Sequence, residues 1–178
     1  GGRSATLRVV PARTVQEMKF PGAPYGMKMA CGENPKRVYR NRGPSTRMGN
    51  MAGYRGAFIR AEQYRQTWDA WLKAKEFGFK IRSFHHGVEG YKVADLLARE
   101  GTAASIWSDW CCFKMEAYDA VPQNAALVQQ AGARAIIHSD DPIGIQRLNQ
   151  DAAKAMYAGL GAGIAVTREQ AIRWITAN

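Results

Sequence analysis

The stretch Ala133-Arg134-Ala135-Ile136-Ile137-His138-Ser139-Asp140-Asp141-Pro142-Ile143-Gly144 decides how the chain reads. It begins small and apolar, turns polar at His138, and breaks at Pro142 and Gly144. A short β-branched run that ends in turn residues reads as a buried strand. In parallel sheets, ligands and catalytic groups collect at the carboxyl ends of the strands. An imidazole and two carboxylates at such an end need compensation if they are buried. A metal ion would supply it. The simpler alternative is a solvated turn in which Asp140 or Asp141 caps the next helix.

Upstream of this stretch the same rhythm recurs. Residues 79–84 read as a strand, followed by His85, His86 and Gly87. Residues 88–100 read as a helix closed by Gly101. Residues 102–107 read as a strand followed by Ser108 and Asp109, and residues 122–131 as a helix closed by Gly132. Downstream, residues 145–158 form a helix with Leu148, Ala152, Ala155 and Met156 inward. Thr167, three residues before Gln170, makes a capping box for a last helix over 168–177. Repeated strand, polar turn, helix and glycine is the pattern of βαβ units in a parallel sheet, an α/β fold. Every polar turn after a strand then falls on one rim. All three histidines of the chain follow expected strands, so His85 or His86 should meet His138 and Asp140 there. Imidazoles and carboxylates so gathered are ligands for a divalent metal.

The first part of the chain is less regular. Residues 5–10 and 25–31 read as strands, the second carrying Lys28 between apolar neighbours. A lysine in a strand usually snorkels or lies on an edge; it can also be an amine kept dry for function. Residues 32–53 are a long loop rich in Gly, Pro, Asn and Arg. Residues 52–77 read as the longest helix, with Ala57, Ala61, Tyr64, Trp68, Trp71 and Leu72 on one apolar face.

Composition sets outer bounds. At 178 residues, 46% hydrophobic and 22% charged, the chain suits one domain with a true core. The charge of +10 favours phosphate-rich or acidic partners. Basic residues Lys36, Arg37, Arg40, Arg42, Arg47, Arg55, Arg60 and Arg65, interleaved with Tyr39, Tyr54, Phe58 and Tyr64, suit a nucleic-acid surface. No named nucleic-acid motif accompanies them, so nucleic acid ranks second as a partner. No apolar run reaches the roughly 18 residues of a membrane span. No basic-then-apolar leader opens the chain, which fits a cytoplasmic protein or an exported one whose leader has been removed. Cys31, Cys111 and Cys112 make no even framework and no CxxC pair, so free thiols are expected.

The run Phe84-His85-His86-Gly87-Val88-Glu89-Gly90-Tyr91-Lys92-Val93-Ala94-Asp95-Leu96-Leu97-Ala98-Arg99-Glu100-Gly101-Thr102 carries a further message. With Ala131–Pro142 downstream and Ala171–Asn178 at the end, it resembles the amidohydrolase superfamily, in particular its imidazolonepropionase-like and prolidase-like members. The resemblance runs over most of residues 1–178 and is strongest over 77–178. It implies a parallel (β/α) barrel of TIM type. A complete barrel takes about 250 residues, so only part of the eight units is present in this chain. It implies a catalytic domain over 1–178 that cleaves a C–N bond, in an amide, cyclic amide or peptide, through a metal-activated water. One or two divalent ions, usually zinc, would serve as cofactor. Asp140 matches the family's last-strand aspartate, which ligates metal and takes the proton of the attacking water. His86 matches the family's HisGly ligand, with His85 as second choice. Lys28 matches the bridging carboxylated lysine, with Glu33 as runner-up. The family's opening His-x-His pair has no counterpart here. On this reading Arg37, Lys114 and His138 bind substrate, a small molecule or peptide. An incomplete barrel exposes sheet edges, so a homo-oligomer is expected. A non-catalytic piece of such an enzyme is the remaining alternative.

Overall fold

The structure is a computed structural model. It describes residues 2–5, 7–8, 10–22, 26–28, 71–72, 74–113 and 117–178. The chain divides into two compact units, Gly1–Ala52 and Gly53–Asn178.

In the first unit, strand β1 (Gly2–Ser4) pairs antiparallel with β2 (Gly26–Lys28), Gly2 opposite Lys28. Between them lies one helical turn, α1 (Val15–Met18). Thr14 caps it by accepting from the Glu17 amide at 3.4 Å, as a hydroxyl at that position is suited to do. Of the strand expected over 5–10, residues 6 and 9 lie outside the described residues; Leu7 makes an isolated antiparallel bridge to Lys19, and regular pairing is at Gly2–Ser4. Lys28 therefore stands in an antiparallel pair rather than in a parallel βα unit.

The second unit carries the rhythm read from the sequence. Strands β3 (Ser83–His85), β4 (Ala103–Ile106) and β5 (Arg134–Ile137) form a parallel sheet in sequence order. Helix α2 (Ala94–Arg99), entered through a 3-10 turn at Gly90–Val93, connects the first two. Helix α3 (Asn124–Gln130) connects the second and third. Helix α4 (Leu148–Gly161) follows a 3-10 turn at Gly144–Arg147, and α5 (Arg168–Arg173) closes the chain. The central strand β4 is buried along its whole length. That explains its run Ala-Ala-Ser-Ile, small enough for helices to approach both faces. Gly101 and Gly132 take φ of 63° and 87° and end α2 and α3, the left-handed C-terminal stop that glycine permits without a Cβ clash.

Leu97, Ile106, Val128, Ile137 and Trp174 form the centre of the core. Trp174 is fully buried, and its Nε1 donates to Gln129 Oε1 at 2.6 Å. The outer side of β5 is capped by the C-terminal segment. The Ile137 amide donates to the Trp174 carbonyl at 2.9 Å, and Asn178 Nδ2 to the Ala135 carbonyl at 3.1 Å. This satisfies groups an edge strand would otherwise expose. The Thr167–Gln170 capping box is present in both directions. Of the helix expected over 52–77, residues 71–72 and 74–76 are described, and they are helical. Trp71 is buried and packs edge-on against Phe84 at 5.4 Å. Leu72, expected on the same apolar face, is instead 51% exposed. One residue is about 100° around a helix, which suffices to carry it off the narrow buried stripe. Among the described residues, no helix is long and apolar enough to cross a membrane.

Candidate metal centre

Because β3, β4 and β5 run parallel, their following loops share one edge of the sheet. His86 follows β3, the aromatic run Trp107–Phe113 follows β4, and His138–Asp141 follows β5. His86, His138 and Asp140 each offer one ligand atom, and these three atoms lie within 4.8 Å of one another. Asp140 Oδ2 is 3.4 Å from His86 Nδ1, and Asp140 Oδ1 is 3.6 Å from His138 Nδ1. A tetrahedral ion held at about 2.0–2.1 Å by nitrogen and oxygen would space its ligands about 3.3 Å apart. The donor set, two imidazoles and a carboxylate, suits zinc and similar divalent ions. The group could hold a metal. His138 is the most enclosed member, its side chain 18% exposed against 37% for His86 and 47% for Asp140. The half-exposed carboxylate leaves one side of the cluster open to water.

The two aspartates divide the tasks that the sequence left open between them. Asp141 is the turn residue. Its carboxylate accepts from the Gly144 amide at 2.6 Å and the Ile143 amide at 3.3 Å, an Asx-type local closure. Ser139 Oγ accepts from the Asp141 amide at 3.1 Å. A Cβ on Gly144 would lie 2.8 Å from Asp141 Oδ2, so that closure depends on a glycine there. Asp140 is left to face the imidazoles.

Aromatic side chains line the centre. The Trp107 ring lies 4.6 Å from that of His86 and 5.7 Å from that of His138, nearly parallel to the latter. Trp110 stacks on Trp107 at 5.3 Å. The loop that carries them is tied to α4: Ser108 Oγ donates to the Asp151 carbonyl at 2.5 Å, and Lys154 Nζ donates to Asp109 Oδ2 at 2.5 Å. Hydrogen bonds to Asp109, and then to Asp151, hold the Lys154 amine above the usual lysine pKa. The same loop carries the adjacent Cys111 and Cys112. The backbone at Cys112 is left-handed, φ 71°, a turn that sequence spacing does not signal.

No protein-family model matches the chain. It is 29% identical over 190 aligned positions to the amidohydrolase tasK of Hapsidospora irregularis, an alignment covering 75% of this chain and 19% of that protein. The chain is related to the amidohydrolases. A crystal structure of an amidohydrolase from Thermotoga maritima MSB8 shares its fold, with a TM-score of 0.59 at 23% identity, over 93% of this chain and 53% of that one. The chain thus spans about a fifth of the curated relative and about half of the solved one.

Three of the site residues expected from the sequence, His86, His138 and Asp140, come together in one cluster. His138, expected against substrate, stands among the possible ligands. His85 lies outside that group, its ring 5.9 Å from His138. Lys28 belongs to the first unit, and its side chain lies outside the described residues, as do Arg37, Lys114 and the basic span 36–65. Two contributors escaped sequence reading. Trp107 reads as the last residue of a strand, with no sign that its indole meets two imidazoles. Asn124 reads as an ordinary polar residue in a helix's first turn.

Proposed function

We propose that the chain forms part of the active site of a metal-dependent hydrolase that cleaves a C–N bond, amide, cyclic amide or peptide, in a small molecule or peptide. The observation that carries this is the convergence of His86, His138 and Asp140 at the carboxyl ends of parallel strands, in a relative of the amidohydrolases. The three-stranded sheet is read as a segment of a TIM-type barrel. His86, His138 and Asp140 together hold one divalent ion, zinc for preference. When bound, such an ion acts as a Lewis acid and lowers the pKa of water to about 7.

The chain's own residues supply the remaining steps. Asp140, half-exposed and flanked by two imidazoles, accepts the proton of the attacking water through a carboxylate oxygen. The same proton is then available to the leaving nitrogen. Trp107 and Trp110 screen one side of the centre from water, which strengthens electrostatic interactions within it. Lys114 is proposed as a partner of a substrate carboxylate. A homo-oligomer is proposed as the working state. The test is elemental analysis of the purified protein, with hydrolysis of a panel of N-acyl amino acids and dipeptides measured after chelation and after return of zinc. Bound zinc and zinc-restored turnover, both lost in Asp140→Ala, are expected. Turnover indifferent to chelation would overturn the proposal.

A further inference from the structure

We propose that Asn124 is the positioning residue of the centre, a buried clamp that fixes the backbone turn from which His86 projects. His86 has φ 57°. The left-handed region is unfavourable for a residue with a Cβ, and such strain persists only where the surroundings over-determine it. Asn124 provides that constraint from α3. The residue is 2% exposed, and among the described residues its three side-chain hydrogen bonds go to the turn. Nδ2 donates to the carbonyls of Gly87 at 2.9 Å and Val88 at 2.8 Å, while Oδ1 accepts from the Tyr91 amide at 2.9 Å. Both donors and the acceptor are used. The flipped amide would set oxygen against two carbonyls, so only one orientation satisfies the site.

The rest of the turn is built to receive this clamp. The Gly87 amide donates to the Ser105 carbonyl on β4 at 2.9 Å, and the Gly90 amide to the Gly87 carbonyl at 2.9 Å. A Cβ on Gly90 would sit 3.5 Å from Asn124 Oδ1 and 3.4 Å from Ala104 Cβ, so the turn lies flat between Asn124 and the central strand. Without Asn124, the carbonyls of Gly87 and Val88 lose buried partners, and the turn has reason to rearrange toward an ordinary backbone at His86. The imidazole would then leave its place 3.4 Å from Asp140 and against Trp107.

The structural part of the proposal stands by itself; its effect on metal affinity rests on the metal-site reading. The test uses Asn124→Asp, which keeps the shape and the acceptor but loses both donors, and Asn124→Ser as a smaller variant should the first fail to fold. Gln129→Leu, on the same helix and bonded to Trp174 rather than to the turn, is the control. The first readout is the NMR shift of the His86 ring protons, displaced by the ring current of Trp107 and assigned by their loss in His86→Gln. In a folded Asn124 variant they should move toward free-histidine values, while Gln129→Leu leaves them in place. The second is Co2+ affinity, expected to fall about 10–100-fold, as when outer-sphere support of a ligand is removed. A folded variant with unmoved His86 signals overturns the clamp. Wild-type protein that takes up no Co2+ contradicts the metal reading instead, and the ring shifts still decide the role of Asn124.

Discussion

Replacing Asp140 and Asp141 one at a time should separate stability from metal binding. Asp141 closes the turn after β5. Of its two amide bonds, that to Ile143 is long, at 3.3 Å, and exposed, so water replaces it at little loss. The 2.6 Å bond to the Gly144 amide is partly buried and carries most of the effect. Loss of a comparable cap removes about 0.5–2 kcal/mol, and we place Asp141→Ala at about 1 kcal/mol, or roughly 2–4 °C in Tm. Among the described residues Asp140 makes no comparable bond. It is half-exposed, and its imidazole partners lie at 3.4 and 3.6 Å. Asp140→Ala should change stability by no more than about 0.5 kcal/mol. Ion affinity should show the reverse order: Asp140→Ala abolishes it, and Asp141→Ala leaves it within a few-fold, since the carboxylate removed is not a ligand. Urea denaturation gives the first pair of values and calorimetric titration with Zn2+ the second. If Asp141→Ala costs the ion and Asp140→Ala costs the fold, the assignment of the two carboxylates is wrong.

Further perturbations probe the scaffold. A Cβ on Gly159 would lie 2.5 Å from Ala126 Cβ, between two helices with no side chain able to rotate away. Overpacking of about 1–3 kcal/mol, taken at its upper end, less the roughly 1 kcal/mol that alanine gains in a helix, leaves Gly159→Ala about 2 kcal/mol less stable in urea. Adding Ala126→Gly should recover part of that loss. Thr167→Ala removes the capping box of α5, and should lower stability by about 1 kcal/mol and speed amide exchange in residues 168–173. Burial favours the neutral amine of Lys92, but its hydrogen bonds to Asp119 at 2.6 Å and Glu89 at 2.5 Å outweigh this and raise its pKa. The folded state therefore holds the proton more tightly than the unfolded one. The contribution is complete below the ordinary lysine pKa of about 10.4 and fades as pH rises through the raised value. Urea midpoints between pH 9 and 12 should fall less in Lys92→Met than in the wild type, and an equal fall would refute the coupling.

The second unit was largely legible because its signals are local and periodic. Gly101 and Gly132 mark helix ends that need left-handed backbone, and Thr167 with Gln170 marks a helix start. The meeting of His138 and Asp140 with His86 was legible because polar groups directly after an apolar strand have few other places to go. What escaped depended on contacts distant in sequence. Asn124 acts on a turn 33–37 residues away, and nothing around it distinguishes a clamp from a solvated helix start. Leu72 fits an apolar stripe by spacing, yet the stripe's width is set by packing. In the first unit, strands this short owe their place to pairing partners rather than to propensity, so the pairing at Gly2–Ser4 was not legible in the sequence.

The central claim, that His86, His138 and Asp140 together bind one divalent cation, is tested most directly by the visible absorption of Co2+ added to the metal-free protein. A tetrahedral or five-coordinate site with nitrogen ligands should give a saturable band at one equivalent, displaced by Zn2+ and absent from His86→Ala, His138→Ala and Asp140→Ala alike. A spectrum no different from aqueous Co2+, or a band that survives all three substitutions, would contradict it.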